Sequence, residues 1–258
     1  MSAVALHHEI AGPEDAPVLL LAPSLGTTLA LWDPQVGMLA ERLRTVRFDT
    51  RGHGHSPVPP APYEIADLGK DVLALMDALG VDRASFCGVS IGGMTGMWLA
   101  AHAPQRVTRL VLVCTSAHLP PASAWAERAA AVQAAGSTEV VADTVVPRWL
   151  TPRFARERPD VAARLRAMLV AQPPDGYVAC CGAIERMDLR DALPHIAAPT
   201  LVIAGADDTA TPPDHGRAIA AAIPDARLET LAPAAHLANV ERADDVTQLI
   251  IDHCLEPV

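Results

Sequence analysis

Ala84-Ser85-Phe86-Cys87-Gly88-Val89-Ser90-Ile91-Gly92 is the stretch that decides the fold. An apolar run of strand length passes directly into the pattern G-x-S-x-G, and residues 92–102 then read as a helix that ends before Pro104. Strand, tight turn and helix in immediate succession hold the serine at the apex of a sharp corner. The flanking glycines let strand and helix approach closely, and the helix amino terminus favours negative charge developing beside it. Ser90 is thereby a candidate nucleophile.

Outward from this corner the same rhythm repeats. Apolar runs at residues 17–23, 45–49, 107–114 and 199–204 are bounded by turn residues, and helical patterns at 66–79 and 213–223 lie between such runs. Alternation of this kind implies an α/β protein with a parallel sheet covered on both faces. The rhythm breaks between residues 118 and 194, where helical patterns at 122–135 and 160–170 occur without a convincing strand. This stretch reads as a helical cap (118–194) inserted into a core formed by residues 1–117 and 195–258. It is expected to lie over the carboxyl ends of the strands, where ligands of open α/β sheets bind.

Composition supports a single ordered unit. Of the 258 residues 50% are apolar, 19% charged and 3% aromatic, which excludes a disordered chain. A net charge of −10 speaks against a nucleic-acid partner, since such affinity comes from clustered Lys and Arg. No apolar run approaches the roughly 20 residues of a membrane span, and the first ten residues lack the order of a signal peptide, so a cytoplasmic protein without a membrane partner is expected. The cysteines, Cys87, Cys114, Cys180, Cys181 and Cys254, are odd in number and have no metal-ligand spacing. They read as small buried hydrophobes, with neither a disulfide framework nor a metal site. Oligomeric state stays open.

A serine hydroxyl is a poor nucleophile until a base takes its proton, so a histidine is needed. His236 follows the strand-like residues 227–231 in the small-residue loop Pro233-Ala234-Ala235-His236-Leu237. His7, His8 and His253 lie near the termini and His102 in a helix, where solvated or packed roles are the simpler reading. The orienting acid is expected between serine and histidine in the chain, and 201–208 ends a strand-like run on two aspartates, Asp207 and Asp208. The second oxyanion donor, beside the Ile91 amide, is expected from the loop Ser24-Leu25-Gly26, with the Leu25 amide the candidate.

Together with the segment Asp49-Thr50-Arg51-Gly52-His53-Gly54-His55-Ser56, these residues make almost the whole chain resemble the α/β-hydrolase superfamily. The family pattern G-x-x-D followed by Thr-Pro, here Gly205, Asp208 and Thr211-Pro212, favours Asp208 as the acid. Within the superfamily, Pro23-Ser24-Leu25-Gly26-Thr27 through Trp32-Asp33 is similar to the 3-oxoadipate enol-lactonases, although Pro23 stands where Asn is commoner. The cap segments Trp125-Ala126-Glu127-Arg128, Arg148-Trp149 and Gly176 to Cys181 are similar to that family's lid, with Leu150 where an aromatic is commoner.

The resemblance implies hydrolysis of an anionic enol-lactone in the β-ketoadipate route for degrading aromatic acids. Attack by Ser90 would give an acyl-enzyme, and no cofactor is required. Arg128 and Arg148 are candidates for the substrate carboxylate, with Ser24, Trp125 and Trp149 as further pocket residues. Residues 51–56 read as loop scaffolding, and Trp32 faces either pocket or core. Fold and triad do not choose the substrate, so a carboxylesterase, a haloperoxidase-like hydrolase and a carbon-carbon bond hydrolase remain alternatives. A ligand-binding receptor of the same fold is a further one.

Overall fold

The structure is a computed structural model that describes residues 2–256. Seven strands form one sheet: β1 (His8–Ala11), β2 (Val18–Ala22), β3 (Arg44–Phe48), β4 (Ala84–Val89), β5 (Val107–Val113), β6 (Thr200–Gly205) and β7 (Ala226–Leu231). Their spatial order is β1-β3-β2-β4-β5-β6-β7. All neighbours run parallel except β1, which pairs antiparallel with β3 and sets His8 opposite Phe48.

The central strands β4 and β6 are buried along their whole length, as parallel strands covered on both faces must be. The edge strands carry charge instead. Glu9 of β1 reaches Arg47 of β3 at 2.6 Å, and β7 exposes Arg227 and Glu229, which discourages a further strand from adding to either edge.

The helices are α1 (Asp33–Leu39), α2 (Ile65–Ala78), α3 (Ile91–His102), α4 (Ala122–Ala135), α5 (Ala142–Val145), α6 (Pro152–Glu157), α7 (Pro159–Val170), α8 (Pro174–Arg186), α9 (Pro213–Ala222), α10 (Ala238–Glu241) and α11 (Ala243–Leu255). Helices α6 to α9 all begin on proline, whose fixed φ suits the first turn and whose missing N–H is no loss there. α3 packs on β4 and β5, and α9 packs on β6 and β7.

Between β5 and β6 lie α4 to α8 and, among the described residues, a single bridging pair, His118 with Asp188. α4 packs along α8 and buries only Val132, so most of its surface faces solvent. α8 is tied down more closely. A Cβ placed on Gly176 would lie 2.0 Å from the Gly52 carbonyl oxygen, so two backbones meet there with no room for a side chain. The loop carrying Gly52 is itself fixed by the fully buried Arg51–Asp71 ion pair to α2.

Expected strands and helices appear with ends shifted by about a residue. The elements not singled out from the sequence are the edge strand β1 and the helices α1, α5, α6, α8, α10 and α11. Trp32 belongs to the core, fully buried, and Cys254 is only half-buried, unlike the other four cysteines. No described helix is long and apolar enough to cross a membrane.

Candidate active site

β4 delivers Ser90 to the corner with φ 56° and ψ −116°, a conformation that costs a non-glycine residue about 1–3 kcal/mol. Three hydrogen bonds hold it there. The Ser90 N–H donates to the Val113 carbonyl at 3.0 Å, and the Ser90 carbonyl accepts from the Met94 N–H at 3.0 Å and the Thr115 hydroxyl at 2.6 Å. The flanking glycines are required by space: a Cβ on Gly88 would lie 2.2 Å from the Gly92 backbone, and one on Gly92 would lie 2.6 Å from the Ala22 carbonyl oxygen. Ile91 opens α3, so its N–H has no acceptor within the helix and is available to a ligand.

His236 and Asp208 come from the loops after β7 and β6. His236 Nδ1 lies 2.9 Å from Asp208 Oδ2, and both side chains are nearly inaccessible to solvent. Asp208 Oδ1 accepts from the Ala210 and Thr211 amides at 2.7 and 3.0 Å, and Oδ2 accepts from the Thr211 hydroxyl at 2.8 Å. Burial alone would raise the Asp208 carboxyl, but the charge and hydrogen bond of His236, with the Thr211 contacts, hold it below the usual carboxylate range. This geometry gives His236 a proton on Nδ1 and leaves Nε2 as its basic nitrogen. Asp207 is exposed, and its carboxylate accepts from the Ala234 N–H at 3.3 Å, shaping the histidine loop without touching the histidine.

A cavity of about 180 Å³ opens between this corner and the helical segment. Ser90, His236, Ser24 and Leu25 form its floor, and Trp125, Arg128, Val145, Arg148, Trp149 and Tyr177 are among its walls. Every side chain expected at the pocket from the sequence is thus brought to one cavity, with Ile91 and Asp208 directly behind it.

The two arginines are unusual in this setting, because neither makes an ion pair among the described residues. Arg128 stacks its guanidinium over Trp125, 4.6 Å from the ring centre. Arg148 donates to the Thr209 carbonyl at 2.8 Å. Burial and the nearby charge of Arg128 both lower Arg148 from its ordinary value. Two like charges thus face one cavity in a chain of net charge −10.

Several contributors were not visible in the sequence. Tyr177 is fully buried on the cavity wall, and its hydroxyl has no hydrogen-bond partner, while burial pushes the phenol up against the opposing pull of Arg128. Glu241 on α10 accepts from the Ala235 N–H at 3.1 Å and from the Thr151 N–H and hydroxyl at 2.7 Å each, tying the histidine loop to the helical segment. The Leu237 N–H, donating to the Trp149 carbonyl at 2.8 Å, makes a second such tie. Glu241 and Leu237 carry no local mark, because each acts on a partner distant in the chain, and Tyr177 falls in the stretch Gly176 to Cys181 without being singled out as a pocket residue. Thr211 alone had a signal, its position three residues after the acid.

The family model for the alpha/beta hydrolase fold matches residues 17–243. The chain is 40% identical to 3-oxoadipate enol-lactonase 2 of Acinetobacter baylyi, over 93% of this chain and 89% of that protein. It is 32% identical to a putative carbamate hydrolase of Variovorax paradoxus, over 96% and 95% respectively. Among solved structures, the enol-lactonase from Burkholderia xenovorans LB400 superposes with a TM-score of 0.95 at 43% identity, covering 97% of this chain and 96% of that one. A corner serine on a mostly parallel seven-stranded sheet, a buried His–Asp pair behind it and similarity along nearly the full length of these proteins have one common explanation: the chain belongs to the alpha/beta hydrolase fold family.

Proposed function

We propose that this protein is a serine hydrolase that opens 3-oxoadipate enol-lactone to 3-oxoadipate, with residues 118–194 acting as a lid on the core of residues 1–117 and 195–258. The observation that carries the reading is the pair of arginines without acidic partners on the wall of the cavity that exposes Ser90 and His236. The similarity to enol-lactonases supports it. A carboxylate leaving water for this cavity loses several kcal/mol of hydration unless a cation meets it. Arg128 and Arg148 meet it here, with the Tyr177 hydroxyl free to donate beside them.

In this reading His236 Nε2 takes the Ser90 proton as Oγ attacks the lactone carbonyl. The negative oxygen that forms is met by the Leu25 and Ile91 amides at the amino end of α3. The ring carbon-oxygen bond then breaks, the acyl group stays on Ser90, and the enol oxygen leaves with the proton that His236 returns. The enol relaxes to the ketone. Water, deprotonated by His236, attacks the acyl-enzyme and releases the second carboxylate with Ser90 restored. Asp208 stabilises the imidazolium in both halves.

The test compares substrates and the Arg128→Ala variant. The wild type is expected to hydrolyse the enol-lactone with a far higher kcat/KM than a neutral nitrophenyl ester or a simple carbamate. Arg128→Ala should raise KM for the enol-lactone about 10–100-fold, the worth of one hydrogen bond to a charged group, and leave the neutral ester nearly unchanged. Equal losses on both substrates, or a wild-type preference for the carbamate, would refute the anionic-lactone assignment.

A further inference from the structure

We infer that His53 is a positioning residue for the oxyanion hole, holding the loop of Leu25 in its working shape through a hydrogen bond from the Gly26 amide to its imidazole. The inference rests on the acyl-enzyme reading, which gives the Leu25 N–H its task. Among the described residues, the amides of Gly26, Thr27, Thr28 and Leu29 all donate to protein acceptors. The Leu25 N–H makes no such bond among the described residues and stays available to a ligand.

Two of the acceptors belong to the loop after β3. Asp49 Oδ1 takes the Leu29 N–H at 2.7 Å and His53 Nε2 takes the Gly26 N–H at 3.0 Å, so the loop hangs from that segment at its middle and its far end. The Gly26 contact is the one next to Leu25. A turn closed by the Thr27 N–H and hydroxyl on the Ser24 carbonyl, at 3.1 and 2.7 Å, completes the frame.

For His53 to accept at Nε2, its proton must sit on Nδ1, and Nδ1 has the Arg51 carbonyl at 3.4 Å as its acceptor. The ring is buried, with 1% of its surface exposed. Burial lowers its pKa to about 4, so it stays the neutral acceptor at neutral pH. Arg51 in turn is fixed by Asp71. The Arg-Gly-His-Gly segment, far from the serine in sequence, therefore acts on the hydrolytic centre through one backbone amide.

Two substitutions separate this role from a packing role. Glutamine at 53 puts a side-chain oxygen at about the reach of Nε2 and can still accept from Gly26, whereas asparagine ends at the reach of Nδ1 and cannot. Phenylboronic acid is the probe, because its boron adds to a nucleophilic serine and directs an oxygen into the oxyanion hole. His53→Asn is expected to weaken phenylboronic acid and lower kcat by about 10–100-fold, part of what loss of a whole oxyanion donor costs, with KM almost unchanged. His53→Gln should stay within a few-fold of wild type on all three.

If the two variants match each other in inhibitor affinity and kcat while the wild type forms the serine adduct, the role of His53 is overturned and the nucleophile assignment stands. A wild type that forms no adduct at Ser90 overturns both. Should either variant fail to fold, long-range proton-nitrogen NMR of the wild type decides: an unprotonated Nε2 coupled to the Gly26 amide supports the inference, and a protonated Nε2 defeats it.

Discussion

Ser90 sits in a strained corner that its own hydroxyl does nothing to maintain, since the three bonds that hold the residue all use its backbone. Ser90→Ala should therefore leave stability within about 0.5 kcal/mol of wild type while removing at least about 10³-fold of kcat. Denaturant unfolding beside a lactone assay checks both halves, and retained turnover would rule out the covalent route. The adjacent aspartates give a sharper contrast. Asp208→Asn should lower kcat by about 10³–10⁴-fold by favouring the wrong histidine tautomer, whereas Asp207→Asn, which touches only the Ala234 amide, should cost less than about tenfold. Steady-state kinetics of the two variants rank them, and the reverse order would move the acid by one residue.

At the scale of elements, the loops bearing the acid and the histidine are stitched to the helical segment. Arg148 binds the Thr209 carbonyl, Trp149 receives the Leu237 amide, and Glu241 joins Ala235 to Thr151. Glu241→Ala leaves the buried Ala235 and Thr151 amides without their acceptor. It should destabilise the protein by about 2 kcal/mol and lower kcat more than it changes KM, read by thermal unfolding and lactone kinetics. An unchanged melting temperature would mean that these ties carry no weight. None of the stitching could be read from the sequence. The corner at Ser90 was legible because its geometry admits few residue types, and β4 and β6 because burial on both faces leaves an unbroken apolar run. The strand β1 was not, since a four-residue edge strand with half its residues exposed carries no such run. Tyr177 and Glu241 were hidden for a related reason: a hydroxyl without a partner and a carboxylate with three are properties of contacts made across the fold.

For the whole molecule, acid should act through the histidines that burial lowers, His253 and, most strongly, His53. The folded pKa of His53, about 4, lies below the ordinary histidine value of about 6.5, so the unfolded chain takes up its proton first as pH falls. The stability that neutral His53 contributes is complete above about pH 6.5 and is lost as pH falls toward 4, a change of about 3 kcal/mol. The groups facing the ring do not offset this: the Arg51 carbonyl is uncharged, the Cys180 thiol at 4.0 Å is pushed up by burial and stays neutral, and so does Tyr177, whose ring centre lies 6.3 Å away. Asp208, held low, loses its own contribution only at still lower pH. Urea titrations at a series of pH values should show a steeper decline for wild type than for His53→Gln, and parallel curves would contradict the assignment. The backbone contact between Gly52 and Gly176 bears on how such a protein can change its substrate. Helix α8, which carries Tyr177 of the pocket wall, and the loop that holds the Leu25 segment are seated on each other with nothing deformable between them. A helical segment transplanted from a relative would need glycine at this very seat, or it would ride up and displace the pocket wall. Point changes along the wall meet no such barrier, so a change of specificity is reached more readily by altering wall residues than by exchanging the whole helical segment.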